Sequence, residues 1–124
     1  MHGIKALVIE EEYLIAADIE QTLRGAGATD VAVHSDIDEL TNESGHPHRF
    51  DLAVLEARFG HPDVIAFATR LAGMGIAVVV TSADRAIQKL FPHAIGLDKP
   101  FDSEQLLAAC EAARRTASPP AEVR

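Results

Sequence analysis

An α/β fold around a five-stranded parallel sheet is predicted for this 124-residue chain on three observations. Short apolar runs alternate with stretches of helical period, as in successive βα units. Runs such as Ala77-Val78-Val79-Val80 do not alternate with polar residues, so they read as strands covered on both faces. Each of four runs also stops on chemically loaded residues: Ile4 to Ile9 on Glu10-Glu11-Glu12, Leu52 to Leu55 on Glu56, Ala77 to Val80 on Thr81-Ser82, and Ala94 to Leu97 on Asp98-Lys99-Pro100. Ligands of open parallel sheets bind outside the carboxyl ends of the strands, where the strand order switches. Acids, hydroxyls and a lysine are therefore expected on one rim.

The elements follow in order. After the first strand, Ile15, Ile19 and Leu23 recur on one helix face, and Gly25 or Gly27 ends that helix. Val31 to Val33 is a short second strand. Ser35 with Asp38 suggests the start of a second helix, which decays through Asn42-Glu43-Ser44-Gly45-His46-Pro47. Beyond Glu56, Gly60 and His61 form a loop and Pro62 suits a first helical position. Val64, Phe67, Ala68 and Leu71 then supply an apolar stripe, closed by Gly73 and Gly75. A short helix from about Ala83 to Leu90 stops at Pro92. Asp102 with Gln105 forms a capping box, followed by Leu106, Leu107, Cys110 and Ala113 at helical spacing. Five strands and five helices fit the doubly wound, flavodoxin-like order 2-1-3-4-5. Residues 1–115 form one domain and 116–124, with Ser118-Pro119-Pro120-Ala121, read as a disordered tail.

Bulk properties exclude several classes. An apolar share of 48% is ordinary for a globular domain, and a net charge of −8 argues against a nucleic-acid or anionic-membrane surface. The N-terminus leads straight into a strand rather than a signal peptide, and no run is long enough to span a bilayer. The single cysteine, Cys110, rules out an internal disulfide and fits a reducing cytoplasm. It falls on the core-facing stripe of the last helix, as a small hydrophobe. His46 and His48, with His34 and His61, read as loop composition rather than a metal site. Gly25-Ala26-Gly27 follows a helix instead of opening one, so it is not a phosphate loop.

The ordered set of an acidic pair, an acid, Thr-Ser and Lys-Pro, closed by Lys99-Pro100-Phe101, resembles the receiver domain of bacterial two-component response regulators. The resemblance covers about Ile4 to Arg114. It implies a signalling protein, not an enzyme: a stand-alone receiver acting by protein contact, partnered by a histidine kinase or a downstream protein. A second copy would bind through the face of the fourth helix, fifth strand and fifth helix. By position Glu10 and Glu11 match the acidic pair and the Arg58 carbonyl a third Mg2+ ligand. Thr81 and Lys99 match the residues that bind phosphoryl oxygens, and Pro100 a structural proline whose preceding peptide is commonly cis. No cofactor is required; Mg2+ is the cation such a pocket takes, and Glu11, longer than the usual aspartate, works against its octahedral geometry.

Two positions depart from the pattern. Glu56 stands where the family has the phosphoacceptor aspartate, and the added methylene moves the carboxylate outward by roughly 1.5 Å. A misplacement of about 1 Å can cost on the order of a hundredfold, so efficient phosphorylation is not expected. The same extension brings the Glu56 oxygens within reach of Lys99 and Thr81 and favours a fixed, phosphate-free conformation. Lys99 then pairs with Glu56 or the acidic pair, and the Arg58 guanidinium is a candidate substitute for the Mg2+ charge. Glu12 is expected to be merely exposed. Gly96 stands where many receivers carry a switching aromatic, leaving Phe91 or Phe101 as substitutes. Two alternatives remain: a conventional regulator phosphorylated on Glu56, since Asp51 and Asp63 are poorly placed, or a small metal-dependent phosphatase or hydrolase using Glu10, Glu11 and Glu56.

Overall fold

The computed structural model describes residues 1–42, 50–57 and 62–117, with side chains described for all of these except 40–42. Strands β1 (Lys5–Ile9), β2 (Asp30–His34), β3 (Leu52–Glu56), β4 (Ala77–Ser82) and β5 (Ile95–Asp98) form one sheet in the order β2-β1-β3-β4-β5. Every pairing is parallel, which requires crossover connections. Helices α1 (Tyr13–Gly25), α2 (Ile37–Asn42), α3 (Pro62–Gly73), α4 (Arg85–Gln88) and α5 (Ser103–Thr116) complete the flavodoxin-like fold that the run-and-helix pattern predicts. Among the described residues no helix is long and apolar enough to cross a membrane.

Side chains of a strand alternate between faces, so each apolar run feeds two cores. Ala6 and Val8 of β1, Leu52 and Val54 of β3, and Ala77 and Val79 of β4 pack with Ile19 and Leu23 of α1 and Leu106 and Cys110 of α5. Their neighbours Leu7, Ile9, Ala53, Leu55, Val78 and Val80 pack on the other face with Phe67 and Leu71 of α3 and Ile87 of α4. All six residues of β4 are buried, which is why that run carries no polar residue until Thr81.

Local chemistry sets the boundaries. Gly27, at φ +115°, lets the chain leave α1, and the Ala28 N–H returns to the Leu23 carbonyl at 3.0 Å. A Cβ at Gly27 would meet the His2 Cα at 3.0 Å, so Gly27 rather than Gly25 is the terminator. Gly75, at φ +84°, repeats the device after α3, with the Ile76 N–H on the Leu71 carbonyl. The start of α2 differs from the Ser35–Asp38 expectation. Asp36 Oδ1 accepts the Glu39 N–H at 3.0 Å, while the Glu39 carboxylate takes the Ser35 N–H and hydroxyl, moving the cap along by one residue. Helix α4 is shorter than the Ala83–Leu90 expectation: Asp84 caps it through the Ala86 N–H at 2.8 Å, and tight turns at Leu90 and Phe91 close it before Pro92.

The predicted capping box of α5 is present, with Asp102 Oδ1 accepting the Gln105 N–H and Gln105 Oε1 accepting the Asp102 N–H. Removing it with Asp102→Ala is expected to cost about 1 kcal/mol, read as a Tm lower by about 4 °C. An unchanged Tm would mean that packing alone sets the start of α5. Helix α5 runs to Thr116, whose hydroxyl donates to the Ala112 carbonyl; residues 118–124 of the expected tail lie outside the described residues.

Candidate functional site

Alternation along the strands decides which rim residues meet. Glu10 continues the parity of Ala6 and Val8, Glu56 that of Leu52 and Val54, Thr81 that of Ala77 and Val79, and Lys99 that of Ile95 and Leu97. All four therefore emerge on the α1/α5 side of the sheet at its carboxyl rim. Glu56 and Thr81 are also register partners across β3 and β4. A groove lined by Leu14, Asp18, Ser82, Lys99 and Phe101 opens beside them.

Lys99 joins the set. Its ammonium donates to Glu56 Oε2 at 2.9 Å and lies 3.0 Å from Glu10 Oε1, the latter an ion pair without hydrogen-bond alignment. The remaining oxygens face backbone donors: Glu12 N–H to Glu10 Oε2 at 3.1 Å and Glu11 N–H to Glu56 Oε1 at 3.2 Å. The first turn leading into α1 thus supplies its unsatisfied N–H groups to the two acids. Glu10 is 2% exposed, whereas Glu11 and Glu12 are exposed, so only one of three consecutive glutamates is an interior residue. The peptide from Lys99 to Pro100 is cis.

Thr81 is the exception within the cluster. Its hydroxyl is buried and has no hydrogen-bond partner among the described residues, so the expected contact with Glu56 is not made. The Thr81 carbonyl is engaged, accepting the Ala57 N–H at 2.9 Å. A buried hydroxyl without an acceptor is an uncommon and destabilising feature.

Electrostatics follow from one cation lying between two acids. Burial raises the pKa of Glu10, helped by the nearby Glu56 charge, and outweighs the opposing Glu12 N–H and Lys99 ammonium. For Lys99, burial works against the ammonium, but contacts with Glu56 and Glu10 outweigh it and raise its pKa. The two shifts describe one arrangement: contacts with the two acids favour the Lys99 ammonium, while burial of Glu10 disfavours its charged form.

Mg2+ would need carboxylate oxygens turned to one point. Glu10 and Glu56 instead direct theirs to Lys99 and to backbone N–H groups, while the Glu11 side chain is exposed. Among the described residues no group of three His, Cys, Asp or Glu side chains is disposed to hold a metal. Arg58, whose carbonyl is the third ligand that the resemblance implies, lies outside the described residues, as do His46, His48, Gly60 and His61. Of the other candidates, His34 sits 3.5 Å from Glu39, and Asp51 caps the start of β1 by accepting the Lys5 N–H at 2.9 Å. Burial pushes the Cys110 thiol up to about 12, which suits packing rather than nucleophilic chemistry.

Sequence reasoning missed the residues that lie beside Gly96 and Asp98. Phe91 is in the α3/α4 core and Phe101 packs against the α1/α5 core. The Gln88 side chain lies over Gly96 instead, and Arg85 pairs with Asp98. A Gln and an Arg on an exposed four-residue helix carry no periodic signal that would have marked them.

No family model and no curated protein sequence matches this chain. Solved structures do. A response regulator receiver protein from Sinorhizobium medicae WSM419 is 26% identical, with a TM-score of 0.72 over 94% of this chain and 98% of that one. A chemotaxis response regulator of Vibrio cholerae is 21% identical, with a TM-score of 0.70 over 90% and 98% of the two chains. An orphan response regulator of H. pylori is 21% identical, with a TM-score of 0.70 over 93% and 100%. The fold is therefore the one shared by response-regulator receiver domains.

Proposed function

We propose that this chain is an atypical receiver domain of two-component signal transduction, in which Glu56 stands for the phosphoacceptor and is not itself phosphorylated. The observation that carries the reading is the Lys99 ammonium held between Glu56 and Glu10 at 2.9 and 3.0 Å. The longer Glu56 side chain reaches the cation from the next-but-one strand, so the cluster is internally neutralised apart from one negative charge. The arrangement supports a fixed conformation that works through protein contact, with no reaction of its own and no required Mg2+. A carboxylate imitates a phosphoryl group only in part, being planar with one charge.

The partner is a kinase or a downstream signalling protein in the cytoplasm, or a second copy through α4, β5 and α5. A charge of −8 favours a basic counterpart over nucleic acid. Incubation with acetyl phosphate and Mg2+, followed by intact mass measurement, is expected to leave the protein unmodified. Stoichiometric phosphate on Glu56 would overturn the reading.

A further inference from the structure

On β5 the residues flanking Leu97 have the opposite parity from Lys99 and face α4. Asp98 is gripped there at both oxygens. Gln88 Nε2 donates to Oδ1 at 2.8 Å, and Arg85 donates to Oδ2 through Nε at 3.0 Å and Nη2 at 2.8 Å. The same Gln88 amide also reaches the Ser82 carbonyl at 3.3 Å, the carbonyl that accepts the Lys99 N–H at 3.0 Å. One side chain of α4 thus spans the ends of the two strands that carry Thr81 and Lys99.

Gly96 makes room for this span. A Cβ at position 96 would lie 2.9 Å from Gln88 Cδ and 3.2 Å from Gln88 Cβ, and would collide with Gln88 Oε1. We propose that Gln88, seated over Gly96 and closed on Asp98 with Arg85, is a latch that pins α4 to the ends of β4 and β5. The inference rests on packing and hydrogen bonds and holds whether or not Glu56 accepts phosphate.

The latch matters because α4 has little else to hold it. It is four residues long and buries only Ile87 among its own side chains. The Arg85 side chain is 79% exposed, so its pair with Asp98 is screened and weak. Gln88 is half-buried and bonds the other oxygen of the same carboxylate, adding a less solvent-exposed contact to the grip. Opening it releases α4 and uncovers the floor at Gly96.

Amide hydrogen exchange on the whole chain tests the latch in wild type, Gln88→Ala and Gly96→Ala. Each substitution is expected to speed exchange at the Ile87, Leu90 and Lys99 amides by about fivefold or more, the equivalent of one hydrogen bond. The Leu7 and Val8 amides of β1 keep their wild-type rates. Gly96→Ala added to Gln88→Ala produces less than the sum of the two single effects, because the amide it would displace is gone and only the 3.2 Å approach to the Cβ of residue 88 remains. Wild-type rates at Ile87 and Lys99 in either single variant overturn the latch, and so does a uniform acceleration that includes Leu7 and Val8. Asp98→Ala, which removes both acceptor oxygens, gives the same local pattern if the latch holds and serves where either variant fails to fold.

Discussion

Lys99→Met lowers the unfolding free energy by about 3 kcal/mol at neutral pH, the scale expected when one partner of a buried ion pair is removed. Methionine fills much of the same volume but leaves Glu10, which is 2% exposed, without its ammonium. The pH dependence then separates this loss from a packing defect. In wild type the folded-state pKa of Lys99 lies above the ordinary 10.5, so its stabilisation is complete below pH 10.5 and disappears as the pH climbs through the folded value. Glu10 gives the same sign of pH dependence at the acid end. Its folded-state pKa lies above 4.5, so the folded chain takes the proton first, and acidification through that window favours folding. With the ammonium absent this effect grows, and the deficit of Lys99→Met shrinks between pH 7 and pH 5. Urea unfolding at the two pH values measures it; a variant within about 0.5 kcal/mol of wild type at both would sink the account.

Glu56→Asp is expected to change chemistry rather than stability. Shortening the side chain withdraws the carboxylate by roughly 1.5 Å and breaks its 2.9 Å contact with Lys99. Lys99 then has Glu10 as its described partner, and on the proposed reading the aspartate takes the place of a phosphoacceptor. Under acetyl phosphate and Mg2+ the variant gains one phosphoryl group, while wild type stays on the order of a hundredfold slower, as about 1 Å of misplacement implies. Phosphate in neither protein would leave a scaffold whose transfer chemistry is lost. Phosphate in both would show that the methylene is tolerated.

Much of the fold was legible because its signals are redundant. A run such as Ala77 to Val80 has no polar face, and a strand without one must lie inside a parallel sheet; Asp102 with Gln105 names a helix start from two residues. The rim was legible from where the runs stop. The roles within it were less so. Glu10 and Glu11 look equivalent as letters, yet one is interior and the other exposed, and only counting alternation from Ala6 separates them. Thr81 shares the parity of Glu56 but not a bond with it, since hydrogen-bond reach depends on side-chain direction that spacing does not encode. Gln88 was invisible for a different reason: its partners Ser82 and Asp98 belong to other elements, so its contacts are wholly tertiary.

The opposite parities of Asp98 and Lys99 make the reading frame of β5 unusually intolerant. A slip of β5 by a single residue against β4 would turn the aspartate toward Glu10 and Glu56 and the lysine toward Arg85, setting three acids together on one layer and two bases on the other. Such a slip would be opposed from both sides of the sheet at once, so the two polar clusters act jointly as a proofreading device for strand registration.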